Sequence, residues 1–360
     1  MQINQNKNTF YTNLAFEQAK INLGSTGLNP SVGCVVLKNN SIISSGCTSL
    51  NGRPHAEYNA LNKKINFNGA TIFITMEPCY NYGATPPCVN KIVKKRIKKV
   101  FFSIFDEDKK TRKLSFKKLK FKNIRVKSGF LKSYADIFYK SYKIKKKNLL
   151  PYLDAKIALS KDYYSINKKT KWITNNHSRK RVHLLRSKYD CLLSTSKSIN
   201  EDNSLLNCRI EGLERKSPHV AIIDRKFILK KNIKLLSLNK KIKIYLFTTK
   251  SNYSKELYFK KKGIKIIKLK SMRSSNDFKE ILYILSNFGV SRILSESGLS
   301  FLNFLLSNKF LQNLYIFKSG ENLKKKGINY ASIKKIKKIK KGKKIKVNLF
   351  GDSLYKIGLK

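Results

Sequence analysis

The sequence predicts a two-domain α/β protein, and three observations carry that reading. A chain of 360 residues that is 41% hydrophobic and 11% aromatic exceeds one ordinary core and has the material for two. The first 147 residues alternate helix-spaced and strand-like segments. A fresh series of strand-like segments begins at Pro151, which puts the boundary near Asn148 and divides 1–147 from 148–360.

In the first part, FYTNLAFEQAKINL carries apolar residues at helical spacing, and VGCVVL with SIISSG reads as a hairpin turning around Lys38 to Asn40. HAEYNALNKK reads as a helix, ATIFIT as a buried strand, PPCVNKIVKKRIKK as a second helix and KVFFSIF as another strand. Together these form an α/β layer sandwich. The lysine-rich, helix-like YADIFYKSYKIKKKN leads to Pro151. Beyond it, the strands YLDAKIALS, CLLSTS, VAIIDR, KIYLFTT, IKIIKL and RILSES interleave with helices in NNHSRKRVHLLRS, NDFKEILYILSNF and LSFLNFLLSN. The Ile/Lys alternation of the tail, closing on Val347 to Phe350, predicts edge strands.

The formal charge is +56, yet only 12 of the 77 cationic residues are arginine. Base and phosphate readout leans on arginine's planar fork, so lysine scattered through every segment reads as a solvated surface with nonspecific nucleic-acid attraction only. The N-terminus MQINQNKNTF lacks the apolar core of a signal peptide, and no run of eighteen apolar residues occurs. A cytoplasmic protein with no membrane partner is the expectation. Without an export signal, six cysteines argue for metal ligands or buried thiols; Cys34, Cys47, Cys191 and Cys208 sit singly and read as small core residues.

Chemistry concentrates in RPHAEYNAL and TMEPCYNYGATPPC, which bring His55, Glu57, Cys79 and Cys88 within 34 residues. Pro54 and the Pro86–Pro87 pair place His55 and Cys88 at helix openings, where free N–H groups and the dipole's positive end stabilise a thiolate. Cys79 follows the strand ATIFIT at its carboxyl end. One histidine and two cysteines leave zinc a fourth position for water, the pattern of a catalytic site, with about one zinc per chain. Glu57, not a ligand, could then move a proton between water and leaving group.

His-x-Glu followed by Pro-Cys and a second Cys resembles the zinc-dependent cytidine and nucleotide deaminases. Eight residues between the cysteines, closing on GATPPC, resemble the bifunctional riboflavin biosynthesis family, a pyrimidine deaminase fused to a reductase. NPSVGCVV from Asn29 is similar to that family's substrate loop. The resemblance implies a cytidine-deaminase-like three-layer sandwich followed by a dihydrofolate-reductase-like domain using NADPH. It extends over nearly all the remaining chain, through PYLDAKIALSKD, KWIT, LLRS, SINEDNSLLNCR and SESGLSFLNFLL.

Carried over residue by residue, the resemblance implies that Ala158, Trp172, Ser198, Asp202 and Gly298 meet NADPH. It further implies that Asn29, Thr170, Arg186, Leu206, Arg209 and Glu296 hold a pyrimidine ribosyl phosphate. Arg225, placed just after VAIID, is a candidate for the cofactor's 2′-phosphate. Taken singly, Trp172 reads as a core residue and Arg186 as an exposed helix charge. The chain departs from the family at Tyr80, Asn81, Tyr82 and Ala84, where histidines, tyrosine and a basic residue are usual. It departs again after Asp106, at Tyr163 in place of a turn glycine, and at Ser204 in place of a proline. The implied function is hydrolytic deamination followed by NADPH reduction of the ribosyl chain, compatible with a homo-oligomer. Two alternatives stay open: a basic nucleic-acid-binding or editing deaminase, and a deaminase with a non-catalytic second domain.

Overall fold

A computed structural model describes residues 2–83, 85–339 and 342–360, with side chains from Lys7 onward. The departure at Ala84, and Lys340 and Lys341 of the tail, lie outside the described residues. The chain divides into two compact units, Met1–Leu149 and Leu150–Lys360.

The first unit is built on five strands, β1 (Gly33–Lys38), β2 (Ser41–Cys47), β3 (Thr71–Met76), β4 (Lys99–Ile104) and β5 (Arg125–Ser128), in the order β2-β1-β3-β4-β5. β1 runs antiparallel to both neighbours, and β3, β4 and β5 are parallel. Lys38 pairs with Ser41, leaving Asn39 and Asn40 as a two-residue turn with φ of 50° and 64°. That is the left-handed pair a tight hairpin needs, and asparagine tolerates it. Helices α1 (Gln2–Ile21), α2 (Ala56–Leu61), α3 (Cys88–Lys94), α4 (Leu114–Phe121), α5 (Lys132–Phe138) and α6 (Lys140–Asn148) complete the unit. Strand alternation feeds two cores: Val36, Ile72, Ile74 and Phe102 pack with Ala56, Ala60, Val89 and Ile92, while Val35, Leu37, Phe73 and Phe101 pack with Ala15. The result is the expected three-layer sandwich.

The second unit carries a nine-stranded sheet built on the parallel strands β6 (Tyr152–Leu159), β8 (Cys191–Thr195), β9 (His219–Ile223), β10 (Ile244–Thr248), β11 (Ile264–Lys268), β12 (Arg292–Glu296) and β13 (Asn313–Lys318). β16 (Ser353–Gly358) joins antiparallel to β13, β15 (Lys343–Lys344) edges β16, and β7 (Ile166–Asn167) pairs separately with β14 (Gly327–Ile328). The order is β11-β10-β9-β8-β12-β6-β13-β16-β15. Its helices include α7 (Asn176–Arg186), α8 (Ser196–Asp202), α9 (Tyr253–Lys261) between β10 and β11, the capping-boxed α10 (Ser275–Asn287) and α11 (Leu299–Ser307). Because the central strands are parallel, the turns after β6, β8, β9 and β12 share one edge of the sheet.

Some local expectations change. The helix predicted from the Pro86–Pro87 pair to Lys99 ends at Lys94, because Arg96 turns left-handed at φ 52°. The tail forms a short helix at Lys334–Lys338, and Val347 to Phe350 form no edge strand: among its described residues only Lys343–Lys344 and Ser353–Gly358 pair, with Phe350 and Gly351 turning inside the Leu349–Asp352 bridge. Trp172 is 52% exposed and Arg186 only 9%, inverting both single-residue readings. Among the described residues no helix is long and apolar enough to cross a membrane.

Candidate active sites

In the first unit three loops converge on one point. Gly52, at φ 89°, lies so close to the first loop that an added Cβ would come 2.4 Å from the Asn29 side chain and 2.6 Å from the Thr26 carbonyl. Asn51 N–H donates to the Ser25 carbonyl at 2.8 Å, completing this seat. The chain then turns through Arg53 and Pro54 into α2, with His55 as its N-cap residue and Glu57 in its first turn. The third loop runs from Cys79, after β3, to Cys88, the first residue of α3.

His55, Cys79 and Cys88 offer ligand atoms within 4.8 Å of one another. His55 Nδ1 lies 3.5 Å from each sulfur. Zinc bonds of about 2.05 Å to nitrogen and 2.3 Å to sulfur, at the tetrahedral angle, separate the two donors by about 3.6 Å, so the arrangement fits that ion. The Cys88 N–H donates to the Cys79 sulfur at 3.2 Å. A hydrogen bond from the Cys88 thiol, aided by His55, lowers Cys79, while sharing that proton, with burial, pushes Cys88 up, so the pair holds one proton between two sulfurs. The hydrogen bond to Cys79 also raises His55. Glu57 is 3% exposed, and burial followed by the neighbouring Cys79 charge pushes its carboxyl up to about 7.

Sequence reasoning passed over Glu77, although it stands beside Pro78 and Cys79. Its buried carboxylate accepts backbone N–H groups from Asp106 at 3.3 Å, Lys113 at 3.0 Å and Phe116 at 3.3 Å. Lys113 is the N-cap position of α4, so Glu77 caps that helix from another strand. The remaining signal in the sequence was an acid at the end of an otherwise apolar strand. The altered loop after β4 is thereby ordered: Asp106 accepts from Tyr142 at 2.7 Å, Lys146 pairs with Asp108 at 2.7 Å, and Asn81 approaches Thr111 at 3.5 Å.

In the second unit the expected residues fall into three groups. Ser198 Oγ accepts the Gly298 N–H at 3.1 Å, joining the turns after β8 and β12. Lys171 Nζ donates to the Asp202 carbonyl at 2.7 Å, and Thr170 Oγ1 donates to the Trp172 carbonyl at 3.0 Å, so Thr170, Trp172 and Asp202 gather through Lys171. The third group surrounds Asn207. Arg186 donates through Nη1 to the Asn207 carbonyl at 3.0 Å and through Nε and Nη2 to Glu296 at 2.6 and 3.0 Å, while Arg209 reaches the Asn207 side chain at 2.7 Å. Leu206 beside them is buried at φ 52°. Burial alone would raise Glu296, but Arg186 and Lys156 overcome it and hold the carboxyl at about 2. Ala158 is half-buried in β6, and Arg225 is exposed after β9 with its carbonyl accepting from Thr249. The departure at Tyr163 adopts φ 71°, the conformation expected of the turn glycine it replaces.

Residues 5–104 match the cytidine and deoxycytidylate deaminase zinc-binding region, and residues 151–319 match the RibD C-terminal domain. The riboflavin biosynthesis protein RibD of Bacillus amyloliquefaciens is 31% identical over 295 residues, covering 81% of this chain and 78% of that protein. The chain belongs to the RibD family. The Actinobacillus pleuropneumoniae RibD is 30% identical over 301 residues, covering 82% of this chain and 78% of that one. A solved structure from Thermotoga maritima, described as a diaminohydroxyphosphoribosylaminopyrimidine deaminase and 5-amino-6-(5-phosphoribosylamino)uracil reductase, superposes with a TM-score of 0.84 at 24% identity, covering 99% of both chains. An Acinetobacter baumannii RibD gives 0.84 at 23% identity, covering 98% of this chain and 99% of that one. These two establish the shared fold. As a RibD family member with both domains, the chain is an enzyme of riboflavin biosynthesis with a deaminase half and a reductase half.

Proposed function

We propose that the first unit is a zinc-dependent deaminase acting on 2,5-diamino-6-ribosylamino-4(3H)-pyrimidinone 5′-phosphate, and that the second reduces the ribosyl chain of the product to ribityl with NADPH. One observation carries the first half: His55 Nδ1 stands 3.5 Å from both Cys79 and Cys88, with Glu57 buried beside them. Those three side chains would hold zinc, which supplies an acidified water as the nucleophile. Glu57 would take the water's first proton and deliver it to the ring nitrogen, then take the second from the hydroxyl added to the ring carbon and pass it to the amino group, which leaves as ammonia while the carbonyl forms, a role suited to a carboxyl raised toward neutrality. Asn29, seated against Gly52, orients the pyrimidine.

In the second unit, NADPH supplies the hydride, and Ala158, Ser198, Arg225 and Gly298 would hold it at the shared edge of the parallel strands. Gly298 opens α11 without a side-chain cap, and its first amides suit a phosphate. Arg209 is the freer of the two expected arginines to meet a phosphate, because Arg186 is already committed to Glu296 while Arg209, among the described residues, bonds only the neutral Asn207 side chain.

The test measures zinc and both half-reactions on the whole chain. Cys79→Ala or Cys88→Ala should lose zinc and deamination together, and Glu57→Gln should keep zinc while losing deamination. Unchanged zinc in both cysteine variants would overturn the deaminase reading. Supplied with deaminated intermediate, the protein should oxidise NADPH; a competent deaminase that fails to do so would make the second unit a scaffold.

A further inference from the structure

The loop that links the two cysteines carries no cation among its described residues, yet a guanidinium lies across it from another loop. Arg53 Nη1 donates to Thr85 Oγ1 at 2.6 Å, and Nη2 stands 3.2 Å from where a Cβ on Gly83 would be. Arg53 therefore reaches both Gly83 and Thr85 while lying two residues before His55, whose imidazole feels its charge. The side chain is half-buried, and among the described residues it forms no ion pair. Acids do approach this site, but they are engaged elsewhere: Glu57 faces the thiols, and Glu77 spends its oxygens on three backbone amides.

A fixed cation at the rim of a small-molecule site, with one donor anchored and no carboxylate to neutralise it, is suited to an anion. We propose that Arg53 is the phosphate-recognising residue of the deaminase site, reaching the ribosyl 5′-phosphate with the guanidinium edge that Thr85 leaves open. Thr85 acts as a positioning residue, since its hydroxyl fixes the fork that a bidentate contact requires. The inference rests on the deaminase reading above and adds to it which group selects the phosphorylated substrate.

The experiment compares kcat/KM for deamination of the pyrimidinone ribosyl phosphate with that of its dephosphorylated form, in the full-length zinc-loaded protein. Wild type should prefer the phosphate. Arg53→Met, which keeps the aliphatic stem, should reduce that preference on the order of 10- to 100-fold, the range for losing a charge-assisted hydrogen bond. Arg53→Lys should recover part of it, because charge returns without the fork, and Thr85→Val should lose a smaller part by freeing the guanidinium. Zinc content equal to wild type in each variant separates recognition from damage at His55. A preference unchanged in Arg53→Met would overturn the assignment and leave the deaminase standing, as would equal use of both substrates by wild type. No deamination of either compound by zinc-loaded wild type would overturn the functional reading itself.

Discussion

Removing Arg186 isolates the cost of one buried ion pair. The guanidinium grips Glu296 with two hydrogen bonds, and the two side chains are 11% and 9% exposed, so neither charge is well hydrated. Arg186→Met keeps the stem's volume and deletes the charge. Deleting one partner of a buried pair typically costs about 3–5 kcal/mol. Lys156, with Nζ 3.8 Å from Glu296, remains to share the charge, which favours the lower end.

Titration gives a second route to the magnitude. The Glu296 carboxyl falls from its ordinary 4.5 to about 2, and at 1.36 kcal/mol per pH unit that is worth about 3 kcal/mol at neutral pH. A depressed carboxyl stabilises the fold above its unfolded value and loses that contribution as pH falls toward its folded value. Linkage leaves less than half of that at pH 3. The assay is urea unfolding followed by fluorescence of Trp172, the only tryptophan and a reporter of the second unit alone. The variant should be less stable by about 3 kcal/mol at pH 7 and by less than half as much at pH 3. A penalty below about 1 kcal/mol at pH 7, or one equal at both pH values, would refute the ion-pair account.

Three further outcomes are expected. At Tyr163, whose φ of 71° suits glycine, Tyr163→Gly should be more stable than Tyr163→Ala by about 1 kcal/mol in the same unfolding assay, since both lose the ring beneath Lys318 and only glycine relieves the backbone. Glu77→Ala strands three amide donors and should destabilise the first unit by about 3 kcal/mol, with faster hydrogen exchange at Asp106, Lys113 and Phe116. Binding to unrelated DNA duplexes should show no sequence preference and fall steeply with salt, because the +56 charge is carried mainly by scattered lysine; a tight, sequence-selective complex at physiological salt would contradict this.

What the sequence determined by itself is chemistry tied to residue type and short spacing. His-x-Glu, Pro-Cys and a second cysteine can be read because a zinc ligand must be one of few side chains and a proline fixes where a helix opens. The Asn39–Asn40 turn was legible for a local reason, asparagine's tolerance of positive φ, and the strained Tyr163 from the resemblance, which places a turn glycine there. Only the tertiary structure decided the partners that lie far apart in the chain. Arg186 turned inward to Glu296, 110 residues away, and Trp172 turned outward. Glu77 became the cap of a helix beginning 37 residues later, and Arg53 crossed to Thr85. A buried charge or an unpaired amide takes whatever complement the packed strands bring within about 3 Å. That complement depends on sheet order and loop path, which the periodicity of a single segment does not encode.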